Sequence, residues 1–142
     1  MRTATYDPLK NLLSFAGNLA TGFGPDTFIK VERNEDSFSL IVGASGEGVR
    51  TQNRNRSGKV TVTLLAKSQT NDLWSAISAA DELSGSGISS LFITEANGTT
   101  VVSAENAWLT RPAAIERAKE AGTVEWVFEC ENLEILAGGL LT

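Results

Sequence analysis

Apolar and polar residues alternate with a period of two along much of this 142-residue chain. In KVTVTLL, residues Val60, Val62 and Leu64 fall on one face, while Thr61 and Thr63 fall on the other. Period two is the geometry of a β-strand that buries one face. Strands are also predicted at TFIKVERN, SFSLIVG, SLFITE, TTVVSAENAWL and TVEWVFECENLEIL. The chain is therefore predicted to be mainly β.

Two dipeptides predict tight turns between neighbouring strands. Gly17-Asn18 separates two short apolar runs near the start of the chain. Asn97-Gly98 is the favoured pair for a two-residue hairpin turn, because both positions need a positive φ. That turn would place Ile93 opposite Val102 and Leu91 opposite Ala104. The segment 112–122 remains open between a short helix, a loop and a bent strand, since Pro112 and Gly122 suit helix ends.

One segment, SQTNDLWSAISAADELSG, has helical rather than strand periodicity. Leu73, Trp74 and Ile77 recur at helical spacing, which predicts an amphipathic helix over about residues 71–84. These three side chains are the predicted anchors of the helix on the sheet. Thr70 or Asn71 would cap its start and Gly85 would end it. With no internal repeat and no linker, residues 1–142 are predicted to form a single domain.

Composition excludes several classes of function. The net charge of −5 and pI of about 4.7 argue against general affinity for nucleic acid or for an anionic membrane. The chain has no histidine, which removes histidine-based catalytic triads and histidine metal sites. Its single cysteine, Cys130, cannot form an intramolecular disulfide and is predicted to be buried. We expect no enzymatic activity, no catalytic residue, no cofactor and no metal.

No apolar signal segment begins the chain, and no run approaches the roughly 20 apolar residues that cross a bilayer. The expected site of synthesis is therefore the cytoplasm, without a membrane partner.

The stretch GASGEGVRTQNRNRSG is predicted to be an extended loop over about residues 43–58. Gly43, Gly46 and Gly48 lack the spacing of a phosphate-binding loop, because no Gly-Lys-Ser/Thr and no helix follow them. Their ordinary role would be to relax a turn.

The same stretch carries arginines and asparagines in alternation. No aromatic residue lies between Phe38 and Trp74, whereas a nucleic-acid face would interleave aromatics for base stacking. Guanidinium groups that pair with carboxylates suit a protein interface, and a solvated loop is the alternative. The interface candidates in this stretch are the three glycines together with Arg50, Asn53, Arg54, Asn55 and Arg56.

Glu125, Glu129 and Glu131 are spaced by two or four residues on the last predicted strand, and so share one face. Acid–base catalysis by paired carboxylates requires that one of them be buried, and nothing in the sequence indicates burial here. We interpret these residues as a solvated acidic row.

Several motifs, taken in order, resemble tail tube proteins of contractile-tailed bacteriophages. The resemblance covers nearly the whole chain, and the motifs are TYDPLK, VERNEDSF, GASGEG, RSGKVTVTL, SQTNDLWSA, NGTTVVSAENAWL and EWVFECENL. It implies a small β-sandwich or barrel with one flanking α-helix. It also implies a virion subunit that forms hexameric rings, stacked into a hollow tube inside a contractile sheath above a baseplate. The genome would pass through the lumen without specific binding.

Residues 43–58 would then form an arm between subunits, and Glu125, Glu129 and Glu131 are candidates for an acidic lumen that repels phosphates. Two alternatives remain at this point. One is a secretion-system inner-tube subunit, and the other, of a different class, is a monomeric oligonucleotide-binding β-barrel.

Overall fold

The computed structural model describes Thr3, residues 5–96 and residues 98–140. Within these residues the chain forms a short 3-10 helix at Pro8–Lys10, ten β-strands and one α-helix. The strands are β1 (Asn11–Phe15), β2 (Asn18–Leu19), β3 (Ile29–Arg33), β4 (Phe38–Val42), β5 (Gly48–Gln52), β6 (Gly58–Leu65), β7 (Ser89–Glu95), β8 (Val101–Leu109), β9 (Thr123–Cys130) and β10 (Glu134–Leu136). The helix α1 spans Thr70–Ser84, between β6 and β7. The prediction of a mainly β chain with one flanking helix is confirmed.

Eight of the described strands form one antiparallel sheet in the order β2-β1-β7-β8-β9-β6-β3, with β10 paired to β8. Strand β8 has two partners on one side: its last residues, from Ala107, pair with β9, and its first residues, Val101–Ser103, pair with β10. The two other strands, β4 and β5, pair only with each other, within the residues described.

The main sheet is strongly curved around a single core. Phe15 on β1 and Phe128 on β9 are separated by two intervening strands, yet their ring centroids lie 4.8 Å apart. In a flat sheet, three strand spacings of about 4.8 Å would hold the two strands roughly 14 Å apart. The inward faces therefore converge.

Val60, Val62 and Leu64 of β6 are fully buried in this core, as their alternation predicts. Alternation in β9 is also confirmed, because Trp126, Phe128 and Cys130 are buried. Burial, with a smaller contribution from the negative charge of Glu129, raises the pKa of the Cys130 thiol to about 11. The thiol is thus a buried, protonated core group.

Helix α1 packs on the core through Trp74, which is fully buried. The Trp74 ring lies edge-on to the rings of Trp126 and Phe128, with centroid distances of 5.9 Å and 5.0 Å. Leu73 and Ile77 are half-buried against the same core. Gly85 ends the helix in the left-handed conformation, with φ of 69°, as expected.

The start of the helix differs from the prediction. Neither Thr70 nor Asn71 caps it: the N-cap residue is Gln69, whose side chain makes no capping hydrogen bond. The hydroxyl Oγ of Ser68 instead accepts a hydrogen bond from the Thr70 amide. The Asn71 side chain is drawn away to the sheet, where its Nδ2 donates to the Leu65 carbonyl at 3.0 Å.

The first hairpin turn is one residue earlier than Gly17-Asn18 predicted. Phe15 pairs with Asn18, so the two turn residues are Ala16 and Gly17, with φ of 55° and 80°. Positive φ at both positions matches a type I′ turn, in which a non-glycine first residue is strained.

The second hairpin has the predicted register, because Ile93 pairs with Val102 and Leu91 with Ala104. Of its predicted turn, Asn97 lies outside the described residues, and the Gly98 amide donates to the Glu95 carbonyl at 3.1 Å. The segment 112–122, left open above, is a loop without regular structure. Its residues are exposed except Ala113, which is half-buried.

Candidate subunit interface

Strands β4 and β5 form a hairpin that stands apart from the main sheet. Residue pairs Leu40–Arg50 and Val42–Gly48 share one face, together with Phe38 and Gln52. Pairs Ser39–Thr51 and Ile41–Val49 share the other. Every residue of both strands is exposed. We call residues 38–52 the β4–β5 hairpin.

Apolar side chains of the β4–β5 hairpin are open to solvent on both faces. Leu40, Ile41 and Val49 are each about two-thirds exposed (67%, 66% and 63%), and Val42 is 58% and Phe38 45% exposed. An isolated two-stranded hairpin is at best marginally stable in water. Contiguous exposed apolar surface usually marks a site of interaction with another macromolecule. The hairpin therefore has the features of a docking element whose partner lies outside its own subunit.

These exposed aliphatic residues were not among the candidates named from the sequence. The sequence predicts SFSLIVG as a strand, and the interface candidates begin at Gly43, its last residue. A signal was present: Leu40, Ile41 and Val42 are consecutive, so a strand through them must present apolar groups on both faces. Such a strand needs cover on both sides, and the residues described in this subunit provide it on neither.

The predicted extended loop at 43–58 is in part a strand. Residues 43–47 form the turn of the hairpin, Gly48–Gln52 are β5, and β6 begins at Gly58. Strand pairing with β4 overrides the glycine-rich, polar composition of this stretch. Gly46 has a φ of 89° in the turn, and its amide donates to the Gly43 carbonyl at 3.0 Å. Only residues 53–57 remain as a connecting segment.

The three candidate arginines occupy different positions. Arg50 is on β5, with its guanidinium carbon 3.7 Å from the centre of the Phe38 ring, a cation–π contact. Arg54 and Arg56 lie in the connecting segment with exposed side chains. Within the residues that the structure describes, none of the three forms an ion pair. Their charges are therefore available to a partner.

Asn53 and Asn55 instead hold the base of the hairpin together. The amide Nδ2 atoms of both donate to Oε2 of Glu35, at 3.1 Å and 2.7 Å. The Asn53 and Asn55 side-chain oxygens accept hydrogen bonds from the amides of Asn55 and Ser57, both at 3.0 Å. Hydrogen bonds from Asn53 and then Asn55 lower the pKa of the Glu35 carboxyl. We call residues 34–37 and 53–57 the neck of the hairpin.

The neck is also tied to the main sheet. Asn34 donates from Nδ2 to Ser57 at 3.0 Å and to Oε1 of Glu129 at 2.8 Å. The guanidinium of Arg33, on β3, donates to the Ser37 hydroxyl at 3.2 Å, and the Leu133 amide donates to the Arg56 carbonyl at 2.9 Å. The hairpin thus projects from a base that is held by hydrogen bonds on both of its chain segments.

Glu125 and Glu129 lie on the outward face of β9, as their spacing predicts, whereas Glu131 lies beyond the end of the strand. Glu125 lines a depression of about 850 Å³ under the loop that carries Arg111 and Glu116. Glu129 accepts the hydrogen bond from Asn34. Glu131 follows the end of β9 and lines a separate depression with Glu105 and Glu134. The strand ends before Glu131, and for that reason the spacing of two no longer determines its face.

Two kinds of site are not found among the described residues. No three histidine, cysteine or acidic side chains in this part of the chain are grouped to hold a metal ion. In the same residues, no helix has the length and hydrophobicity that a membrane crossing requires.

Comparisons with known proteins agree with a structural role. The family described as bacteriophage PhiTE tail tube protein matches residues 14–138. A relative, structural protein ORF10 of Pseudomonas phage KPP10, is 27% identical over 146 residues, covering 97% of this chain and 84% of that protein.

Solved structures share the fold at low sequence identity. The sheath/tube terminator of the extracellular contractile injection system PVC has a TM-score of 0.63 at 12% identity, covering 95% of this chain and 99% of the other. The tube-terminating cap of the anti-feeding prophage AFP has a TM-score of 0.63 at 9% identity, covering 96% of this chain and 93% of the other.

Proposed function

The chain belongs to the bacteriophage PhiTE tail tube protein family, and we propose that it is the repeating subunit of a phage tail tube. In this proposal six copies form a ring, and rings stack into a hollow tube inside a contractile sheath on a baseplate. The protein is a virion component made in the host cytoplasm, and the tube conducts the genome during infection. The observation that carries the proposal is the β4–β5 hairpin, whose exposed apolar side chains need a neighbouring subunit.

The ends of the main sheet support assembly into rings. Strand β3 is the last strand at one end of the order, and the two-residue β2 is the last at the other. A sheet edge with free backbone groups tends to pair with another chain. In a closed ring each edge meets a neighbour, so that no edge stays open. A head-to-tail contact of this kind generates rings or open tubes rather than two-fold dimers.

The charge of the chain suits a conduit for DNA. Six copies at −5 each would carry −30 per ring. A negative wall repels phosphates, which lets DNA slide instead of binding. In this proposal the residues that contribute to the lumen include Glu125, Glu129 and Glu131, at three separate positions on one side of β9 and beyond its end.

A structural role needs no chemistry from the subunit. The Cys130 thiol is buried and has a raised pKa, which removes the one nucleophilic sulfur from use. We therefore propose that the protein is not an enzyme and that it acts through shape and assembly alone, without a cofactor.

Electron microscopy of the purified protein in negative stain tests the proposal. We expect rings with sixfold averages, or tubes at higher protein concentration. A matched pair of variants sharpens the test: Leu40→Asp places a charge on the exposed hairpin, and Leu83→Asp places one on the exposed end of α1. The first variant should lose rings or tubes while the second keeps them. A wild-type protein that stays monomeric at every concentration would overturn the proposal.

A further inference from the structure

An apolar groove of about 830 Å³ opens beside the edge strand β3. Its lining includes Ile29 and Val31 of β3, Val102 of β8 and Ile135 of β10. Val102 is buried, Ile29 and Val31 are half-buried, and Ile135 is 40% exposed. The sheet has curled far enough to bring β3 opposite β10 without closing onto it. The groove is the gap that this incomplete closure leaves.

The subunit does not fill this groove with its own hairpin. Strand β4 follows β3 after only four residues, 34–37, and the neck holds the hairpin at the Arg33 end of β3. The groove is lined by Ile29 and Val31 of β3 and by Asp26 and Thr27, which precede the strand at the end away from Arg33. The apolar element and the apolar groove therefore lie on one subunit but are not in contact.

Hairpin and groove are complementary in chemistry. One hairpin face carries Phe38, Leu40 and Val42, spaced by two, so that all three side chains enter the same surface. Arg50 is on that face and is the one charged residue in β4 and β5. The lining of the groove includes two carboxylates, Asp26 and Glu95. A guanidinium between two carboxylates would fix the direction in which the hairpin lies.

We propose that the groove beside β3 receives the β4–β5 hairpin of a second copy of this chain, with Phe38, Leu40 and Val42 against Ile29, Val31 and Ile135. This inference rests on the proposed tube function and names the contact that joins its subunits.

The contact is head-to-tail. Each copy contributes one hairpin and one groove, so that a copy whose hairpin is bound still offers an empty groove. Where such a contact joins one ring to the next, it repeats along the tube and leaves unmatched hairpins and grooves only at the two tube ends. The tube ends would therefore be the places where a terminating protein binds.

Site-directed cross-linking tests the contact. Leu40→Cys chains are mixed with Ile135→Cys chains, assembled, treated with a short bismaleimide and separated on a denaturing gel. The native Cys130 is buried and does not compete for the reagent. We expect a cross-linked dimer in this mixture. A control mixture of Leu40→Cys with Leu83→Cys, whose position on α1 is 89% exposed, should give none.

A second measurement uses charge in the groove. Ile135→Glu should keep the circular dichroism spectrum of the wild type and weaken assembly by roughly tenfold or more. Leu83→Glu should assemble as the wild type does. If folded Ile135→Glu protein forms tubes in wild-type yield, the groove is not the acceptor. The same conclusion follows if Leu40→Cys chains cross-link to each other or to Leu83→Cys chains but not to Ile135→Cys chains.

The two proposals fail in different ways. If wild-type protein forms tubes but the hairpin and groove cysteines do not react together, the inference is rejected and the tube function stands. If no tubes form and the two cysteines still cross-link, the contact stands and the tube function is rejected. If neither is seen, both are rejected.

Discussion

The indole nitrogen Nε1 of Trp126, on β9, donates a 2.9 Å hydrogen bond to Oδ1 of Asn71, in the first turn of α1. The same amide group donates from Nδ2 to the Leu65 carbonyl, at the end of β6. Asn71 thus joins the helix to two neighbouring strands and satisfies a polar atom of a Trp126 side chain that is 2% exposed.

Replacing Asn71 with alanine should destabilise the subunit. The indole N–H would be left buried without a partner, which costs about 1–3 kcal/mol. For a domain of this size, each kcal/mol lowers Tm by about 2–4 °C. Thermal unfolding of the dispersed subunit measures the change, with Asn132→Ala, at an exposed asparagine, as the control. Equal Tm values for the two variants would contradict the role of Asn71.

Trp74 provides a second test of how the helix is held. Trp74→Ala should cost about 3–5 kcal/mol, because it removes a fully buried ring from the centre of the core. Trp74→Phe should cost clearly less. The Nε1 atom of Trp74 is buried without a hydrogen-bond partner among the described residues, so phenylalanine gives up ring volume but no polar contact. Unfolding by urea compares the two variants, and equal losses would indicate a polar partner for Trp74.

Ala16 is held at a positive φ of 55° in the β1–β2 turn. Left-handed geometry costs a non-glycine residue about 1–2 kcal/mol, while glycine costs about 0.4–1 kcal/mol in unfolded-chain entropy. Ala16→Gly should therefore stabilise the subunit by about 0.5 kcal/mol. The same exchange at Ala79, exposed in the middle of α1, should destabilise it by about 1 kcal/mol. The denaturant midpoint should rise for Ala16→Gly and fall for Ala79→Gly. A lower midpoint for both variants would contradict the strain at Ala16.

The three arginines at positions 50, 54 and 56 should matter for assembly and not for folding. Their side chains form no ion pair within the described part of the subunit, and the contact of Arg50 with Phe38 is between two exposed side chains. Replacing all three with alanine should therefore leave the circular dichroism spectrum unchanged. Tubes should become fewer or shorter. Exposed pairs contribute only about 0–1 kcal/mol each, but a tube repeats them at every subunit.

Salt should weaken assembly in the same direction, because it screens such pairs over about 8 Å at physiological ionic strength. Wild-type tubes from the triple variant in electron micrographs would exclude these arginines from the contact. An unfolded variant would show that they stabilise their own subunit.

The neck of the hairpin should respond to acid through Glu35. Hydrogen bonds from Asn53 and then Asn55 lower the pKa of its carboxyl, so the ionised form is favoured in the folded state. Because the pKa of Glu35 is lower in the folded than in the unfolded chain, its ionised carboxylate stabilises the folded state at any pH above the unfolded pKa. This stabilisation is lost as the pH falls through the folded pKa. The neck should therefore loosen only in acid. An NMR titration of the Glu35 side chain in the dispersed subunit should give a midpoint below its ordinary value of 4.5. Replacing Asn53 and Asn55 with alanine should return it there, and an unchanged midpoint would contradict this cause.

The amino-acid sequence by itself determined the features that depend on local periodicity. Alternation in KVTVTLL and TVEWVFEC identified the buried faces of β6 and β9, because a strand repeats every two residues whatever its neighbours are. The register of β7 on β8 followed from one turn dipeptide, since a short turn fixes which residues pair. Helical spacing around Trp74, with Gly85 after it, located α1 for the same kind of local reason.

Tertiary structure decided what depends on contacts between distant segments. The sequence GVRTQ has no strand periodicity of its own, and it becomes β5 because β4 pairs with it. Asn71 has the chemistry of a helix cap, but a carbonyl of β6 and an indole of β9 lie within its reach and take its side chain. The groove beside β3 exists only because the sheet curls without closing. No local pattern encodes these outcomes, since each depends on which surfaces the folded chain brings together.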